Sequence, residues 1–292
     1  MASATTNQTH VGPGKARGGI SLGAPLFYVF LFLFVLVSMF PLLWVFRMSI
    51  VTKSDLLTSP MVTATAPPVA ESYKTVFSNP DFIQALQNSV IVAGTTTVIC
   101  LFFGSLCAYS IARLRFRFKS PIMTLILAIS FFPAVAIIAP LFIQFSATNI
   151  INTYWAMIIP DVVFALPLTI WILVAFFREL PRDLEEAAKV DGATTLQAFR
   201  KVIVPLAAPG VFTTAILTFI HAWNEFLFAN TFIFDAAHYP VTVVIPNFAT
   251  VYTVDYGAQA AASVVVTVPL VIMVLIFQRR IVSGLTAGAV KG

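Results

Sequence analysis

Five polar side chains stand together in a long apolar run: His221, Trp223, Asn224, Glu225 and Asn230. A carboxylate inside an apolar segment is costly, so by default it marks a functional position. Glu225 reads as the one acidic residue near the middle of a span. On a continuous helix His221 and Glu225, four residues apart, would share a face. Two chemistries fit such a pair. One is a proton relay. The other is hydrogen bonding to a polar solute, with Trp223 offering an apolar face and Asn224, Glu225 and Asn230 serving hydroxyl edges. A third reading is purely structural, with Glu225 paired inside the bundle. Two such ligands do not make a metal site, and none is expected.

The second concentration of polar residues lies at 178–207 and separates two apolar runs. Asp183 with Glu186 three residues on resembles a capping box, so a helix should open there. Gly192 is a suitable left-handed stop. Thr194 with Gln197 repeats the start signal, and the second helix should end by Pro205, which cannot donate to the ladder. The expectation is a helix–turn–helix with small residues, Ala187 and Ala188, beside the charges of Glu185, Glu186 and Asp191.

Several chemistries are excluded. The only Gly-Lys pair, Gly14-Lys15, is followed by Ala16, so there is no phosphate-binding loop of the G-x-x-x-x-G-K-[ST] kind. No H-E-x-x-H stretch is present. Cys100 and Cys107 lie two helical turns apart and cannot bridge each other. The chain is read as a non-enzyme.

These residues are carried by a membrane protein. Of 292 residues 59% are hydrophobic and 10% charged, against about a quarter charged in soluble domains; mean hydropathy is +0.93. Six runs reach the ~20 residues a bilayer requires, at 25–46, 88–112, 121–145, 156–177, 209–232 and 258–277. The net charge of +5 does not indicate nucleic acid, because 14 of the 17 basic residues fall in the N-terminus, two short loops and the tail. By the positive-inside rule both termini and the 178–207 loop are cytoplasmic. Residues 1–24 then form a polar N-terminus, 25–282 the six-span domain and 283–292 a cytoplasmic tail. The apolar run after Lys15 and Arg17 is too long for a cleaved signal. Residues before about 20 are polar and glycine-rich, which predicts disorder. Prolines at 133, 140, 160, 167 and 269 should kink their spans. Segment 48–81 reads as an irregular loop with one short surface helix, and 233–256 as a connector between the last two spans.

The polar loop resembles the "EAA" loop of permease subunits of ABC importers, whose pattern is E-A-A, three residues, G, nine residues, I-x-L-P. Glu186, Ala187, Ala188, Gly192 and Pro205 match in register, with Val202 and Val204 replacing Ile and Leu. Asp191-Gly192-Ala193 and the tail from Gly284 to Gly292 resemble the carbohydrate branch, in particular the G permease of maltose systems. The resemblance implies an all-α fold of the type I importer permease, in a bacterial inner membrane and with a cytoplasmic coupling helix. Its partners would be a second, non-identical permease, two ATPase subunits holding ATP and Mg²⁺, and an external solute-binding protein. The Glu186 side chain would anchor the loop in the ATPase, Ala187 and Ala188 would pack against it, and Gly192 would make the turn. The tail would lie between the ATPases, and 233–256 would reach the binding protein. The solute would be a small sugar, a disaccharide such as trehalose or maltose. In such systems most sugar contacts belong to the other permease. The competing class is an ion-coupled secondary transporter using a His221/Glu225 relay. No inverted repeat supports it.

Overall fold

The computed structural model describes residues 23–58, 65, 67–249 and 254–287. Their regular elements are all helical, apart from one isolated antiparallel bridge between Ala249 and Val254. The chain divides into two units at Trp44/Val45. Helix α1 (Gly23–Ser49) carries no charge before Arg47 in its last turn and is apolar on every face, as a lipid-embedded helix should be. The expected disorder before residue 20 lies outside the described residues.

The second unit continues through α2 (Lys53–Thr58), α3 (Glu71–Ser78) and α4 (Pro80–Arg113). Among the described residues the 48–81 segment therefore holds more than one short helix, and α3 buries Ser72 and Val76. α4 begins eight residues before the expected start at 88. Asn79 explains this, because its side chain accepts from the Asp81 amide at 2.9 Å and Pro80 occupies the first turn, where no amide donor is needed.

The expected third span, 121–145, is not one helix. It consists of α5 (Lys119–Ile129), a 3₁₀ turn (Ala134–Ile137) and α6 (Ile138–Ala147), bent by 85° at the break. Pro133 ends the first half because it cannot donate and disfavours helix in the residue before it. Pro140 sits in the first turn of α6, where it costs little. Pro160 and Pro167 are accommodated within the unbroken α7 (Trp155–Glu179). Among the described residues five helices are long and apolar enough to cross a membrane, or six if the bent pair counts as one span.

Then follow α8 (Asp183–Val190), α9 (Thr195–Ala198), a π turn (Phe199–Ile203), α10 (Val204–Leu206), α11 (Ala208–Trp223) and α12 (Leu227–Phe232). Segment 233–256 holds two 3₁₀ turns, Ala236–His238 and Ile245–Phe248, around α13 (Val241–Val244). α14 (Tyr256–Ala287) carries the expected last span and runs ten residues past it; of the tail, 288–292 lie outside the described residues.

α4, α7 and α11 form the core, and small residues bring them close. A Cβ on Gly104 would lie 2.7 Å from Thr169 Cγ2, and one on Gly210 would lie 2.2 Å from Phe176 Cγ. Thr169 and Thr218 join hydroxyls at 2.9 Å across the α7–α11 contact. At one end of the bundle Tyr109, Phe177 and Phe199 pack together. At the other, fully buried Asn88 fixes segment 233–249. Its amide donates to the Ala237 and Tyr239 carbonyls, and its oxygen accepts from Tyr154 and Gln84, all within 3.0 Å. Ser89 adds a bond from the Val241 amide. This part of the connector is therefore seated on the bundle; its tip, 250–253, lies outside the described residues.

Candidate functional site

Glu225 is not in the middle of a helix. α11 stops at Trp223, Asn224 closes it, and α12 opens at Leu227. The Glu225 carboxylate sits at this break and accepts from the amides of Phe228 (2.6 Å) and Ala229 (2.9 Å). Both oxygens thus satisfy free donors at the start of α12, where a negative charge also suits the helix dipole. Thr242 donates to the Glu225 carbonyl and ties α13 to the same break.

The five sequence candidates separate. His221, Asn224 and Glu225 line a cavity of about 510 Å³. Trp223 instead packs in the core, stacked on Phe219 at 5.5 Å, with its indole nitrogen buried and unbonded. Asn230 is exposed on α12, away from that lining. No hydrogen bond joins His221 to Glu225. The helix break removes the shared face on which the rival relay reading depends.

The cavity has a polar residue that the sequence reading passed over. Asp161 in α7 is 2% exposed and lines the same wall, and its Oδ2 has no hydrogen-bond partner. The signal was present, since Asp161 is also a carboxylate within an apolar run. Phe164, Phe226 and Phe228 supply apolar walls. Cys100 and Cys107 are free thiols, one buried and one half-buried.

The charged loop forms as two short helices. α8 opens without a side-chain cap, with Arg182 in the cap position, so the expected Asp183/Glu186 capping box is absent. Three acids in its first turn, Asp183, Glu185 and Glu186, complement the dipole instead. Gly192 adopts φ +86, a left-handed turn that glycine takes without a Cβ clash. The Gly192 and Ala193 amides return to the Lys189 and Ala188 carbonyls, closing a Schellman motif. Thr194 and Gln197 make the full capping box at α9. Pro205 does not end the helical path as expected. The chain widens into the π turn just before it and resumes as α10, which accommodates the missing donor and the ring.

One glutamate holds this loop to the bundle, and it is not the one in the motif. Glu185 is 6% exposed and accepts from Tyr109 Oη at 2.8 Å and Lys189 Nζ at 2.7 Å. Arg113 donates to the Leu180 carbonyl at 2.6 Å beside them. Phe199 fills the space beneath, 4.8 Å from the Tyr109 ring. Burial pushes the Glu185 carboxyl up, but the Lys189 and Tyr109 hydrogen bonds and the Lys189 and Arg113 charges outweigh it. Its pKa lies below the ordinary glutamate value. Glu186, Ala187 and Asp191 are exposed, Ala188 is half-buried, and Val190 and Leu196 are 88% and 66% exposed.

Residues 100–286 match the family model described as "Binding-protein-dependent transport system inner membrane component". The chain belongs to that family. It is 44% identical over 257 residues to the trehalose transport system permease SugB of Mycobacterium tuberculosis, covering 87% of this chain and 93% of that one. It is 40% identical to the trehalose/maltose permease MalG of Thermococcus litoralis, covering 89% and 94%. It is also 39% identical to the sulfoquinovosyl glycerol permease SmoH of Agrobacterium fabrum, covering 92% and 95%. A crystal structure of a bacterial ABC transporter importing alginate shares the fold, with a TM-score of 0.75 at 22% identity over 88% of this chain and 95% of that one. The family match takes in the cavity and the whole loop, so both belong to an inner membrane permease. Within the permease the two lie in different parts of the chain, with α7 and α11 running to both.

Proposed function

We propose that this permease is one half of the translocation path of an ATP-driven sugar importer in a bacterial inner membrane. In this reading it pairs with a second permease, two ATPase subunits that hold ATP and Mg²⁺, and an external solute-binding protein. Both termini and the 178–207 loop face the cytoplasm, and the loop is where ATPase motion enters. The carried solute is a small sugar, in keeping with the trehalose and maltose named for the relatives.

The observation that supports this most is the division of labour in the loop. Its inner side is fixed to α4 by Glu185, while the side bearing Glu186, Ala187, Val190 and Leu196 is open. Single exposed apolar residues are ordinary, but here several flank an exposed acid on a rigid, capped turn. Force applied there passes through Tyr109, Arg113 and Phe199 into α4 and α7. Alternating access is then a population shift between two packings of the bundle. The residues of the motif proper, Glu186, Ala187, Ala188, Asp191, Gly192 and Pro205, shape the docking side. An ion-coupled mechanism is disfavoured, since both Glu225 oxygens already serve amide donors.

The test is sugar uptake by the reconstituted complex carrying Glu186→Ala. Uptake should fall at least about tenfold, the effect of losing one charge-assisted contact, while sugar binding to the external protein is unchanged. Uptake at the wild-type rate would remove Glu186 from the coupling step.

A further inference from the structure

The cavity at the α11–α12 break holds two carboxylates in different states of satisfaction. Each Glu225 oxygen already accepts one amide, from Phe228 and from Ala229. Asp161, on the facing helix α7, has an oxygen that meets neither a protein donor nor bulk water. A buried acceptor without a donor is costly, and more so when charged. Natural structures keep such groups where something else completes them. The cavity, at about 510 Å³, lies within the range of roughly 300–1,000 Å³ typical of small-molecule sites. Its composition is specific too. The Phe164 and Phe228 rings, stacked 6.0 Å apart, give an apolar wall, and His221 and Asn224 add polar edges.

We propose that Asp161 receives a hydroxyl hydrogen of the transported solute, so that this subunit itself holds a polyhydroxylated ligand at the Asp161–Glu225 cavity. This rests on the sugar-importer reading and adds a solute contact to it. A ligand with C–H faces and hydroxyl edges matches aromatic walls and one free acceptor. An anionic solute does not, because it would meet two carboxyl groups. Glu225 contributes by fixing the break that opens the cavity, and Asp161 by selecting what enters.

The experiment uses the full complex in lipid nanodiscs, with the binding protein saturating so that its own affinity drops out. The probes are radiolabelled trehalose and maltose, and the readout is sugar retained by the complex stalled with orthovanadate. Asp161→Asn keeps the shape and removes one acceptor. It should weaken retention up to about 10-fold, as loss of one hydrogen bond does, with ATP hydrolysis still stimulated by the binding protein. Deoxy analogues locate the hydroxyl: one of them should be retained poorly by the wild type, and no worse than its parent sugar by the variant. Unchanged retention in Asp161→Asn overturns the proposal. So does a wild-type complex that holds every deoxy analogue as well as the parent, a result that needs no variant to fold. If the wild-type complex moves neither trehalose nor maltose under ATP, the sugar-importer reading itself fails.

Discussion

Glu185 and Glu186 are adjacent and chemically identical, yet the structure gives them opposite tasks. Motif spacing drew attention to Glu186, which is exposed. The buried anchor is Glu185, and its partner Tyr109 lies 76 residues earlier in the chain. No local pattern announces that pairing. Glu225 was legible as a carboxylate in an apolar run, but its role at a helix break was not, because the break has no proline or glycine to mark it. Because the Glu185 carboxyl is held below its ordinary value, its contribution is full above the unfolded pKa. It is lost as pH falls through the lowered folded value. Glu185→Gln should therefore loosen the loop by about 1–3 kcal/mol at neutral pH and abolish that acid sensitivity. Hydrogen exchange of amides 185–198 measures both. Equal protection in variant and wild type would show that the anchor contributes nothing.

Helix existence was readable from apolar runs, and helix ends were readable wherever a cap was spelled out. The Gly192 stop and the Thr194/Gln197 box follow directly from residue type. The early start of α4 is spelled out equally by Asn79-Pro80, but it lies outside the apolar run. The 85° break in the third apolar run is different: proline allows a kink but does not set its size, which packing decides. Glycines in α4 and α11 show the same dependence on neighbours. Gly210→Ala would drive a methyl into the Phe176 ring and should destabilise the protein by about 1–3 kcal/mol. Gly94→Ala meets nothing within 4 Å and should stabilise α4 by about 0.5–1 kcal/mol. Thermal unfolding of the two purified variants should move in opposite directions; a shared direction would show that space at α11 is not what limits the packing.

For the whole molecule, composition alone established a membrane bundle, whereas sidedness rests on the distribution of lysine and arginine. In intact cells a cysteine at Ala193 should be labelled only after the membrane is opened to an impermeant maleimide. One at Ala236 should be labelled from outside; the reverse pattern would invert the topology. A last consequence follows from the π turn at Phe199–Ile203, which holds one residue more than a regular turn needs. Removing a residue there would restore ordinary winding and swing everything before it by about 100° about the axis. The capped turn at Gly192 would then face away from wherever it now points. This short stretch acts as a phase setting between lever and bundle, so natural variation here is expected to exchange letters while keeping their number fixed.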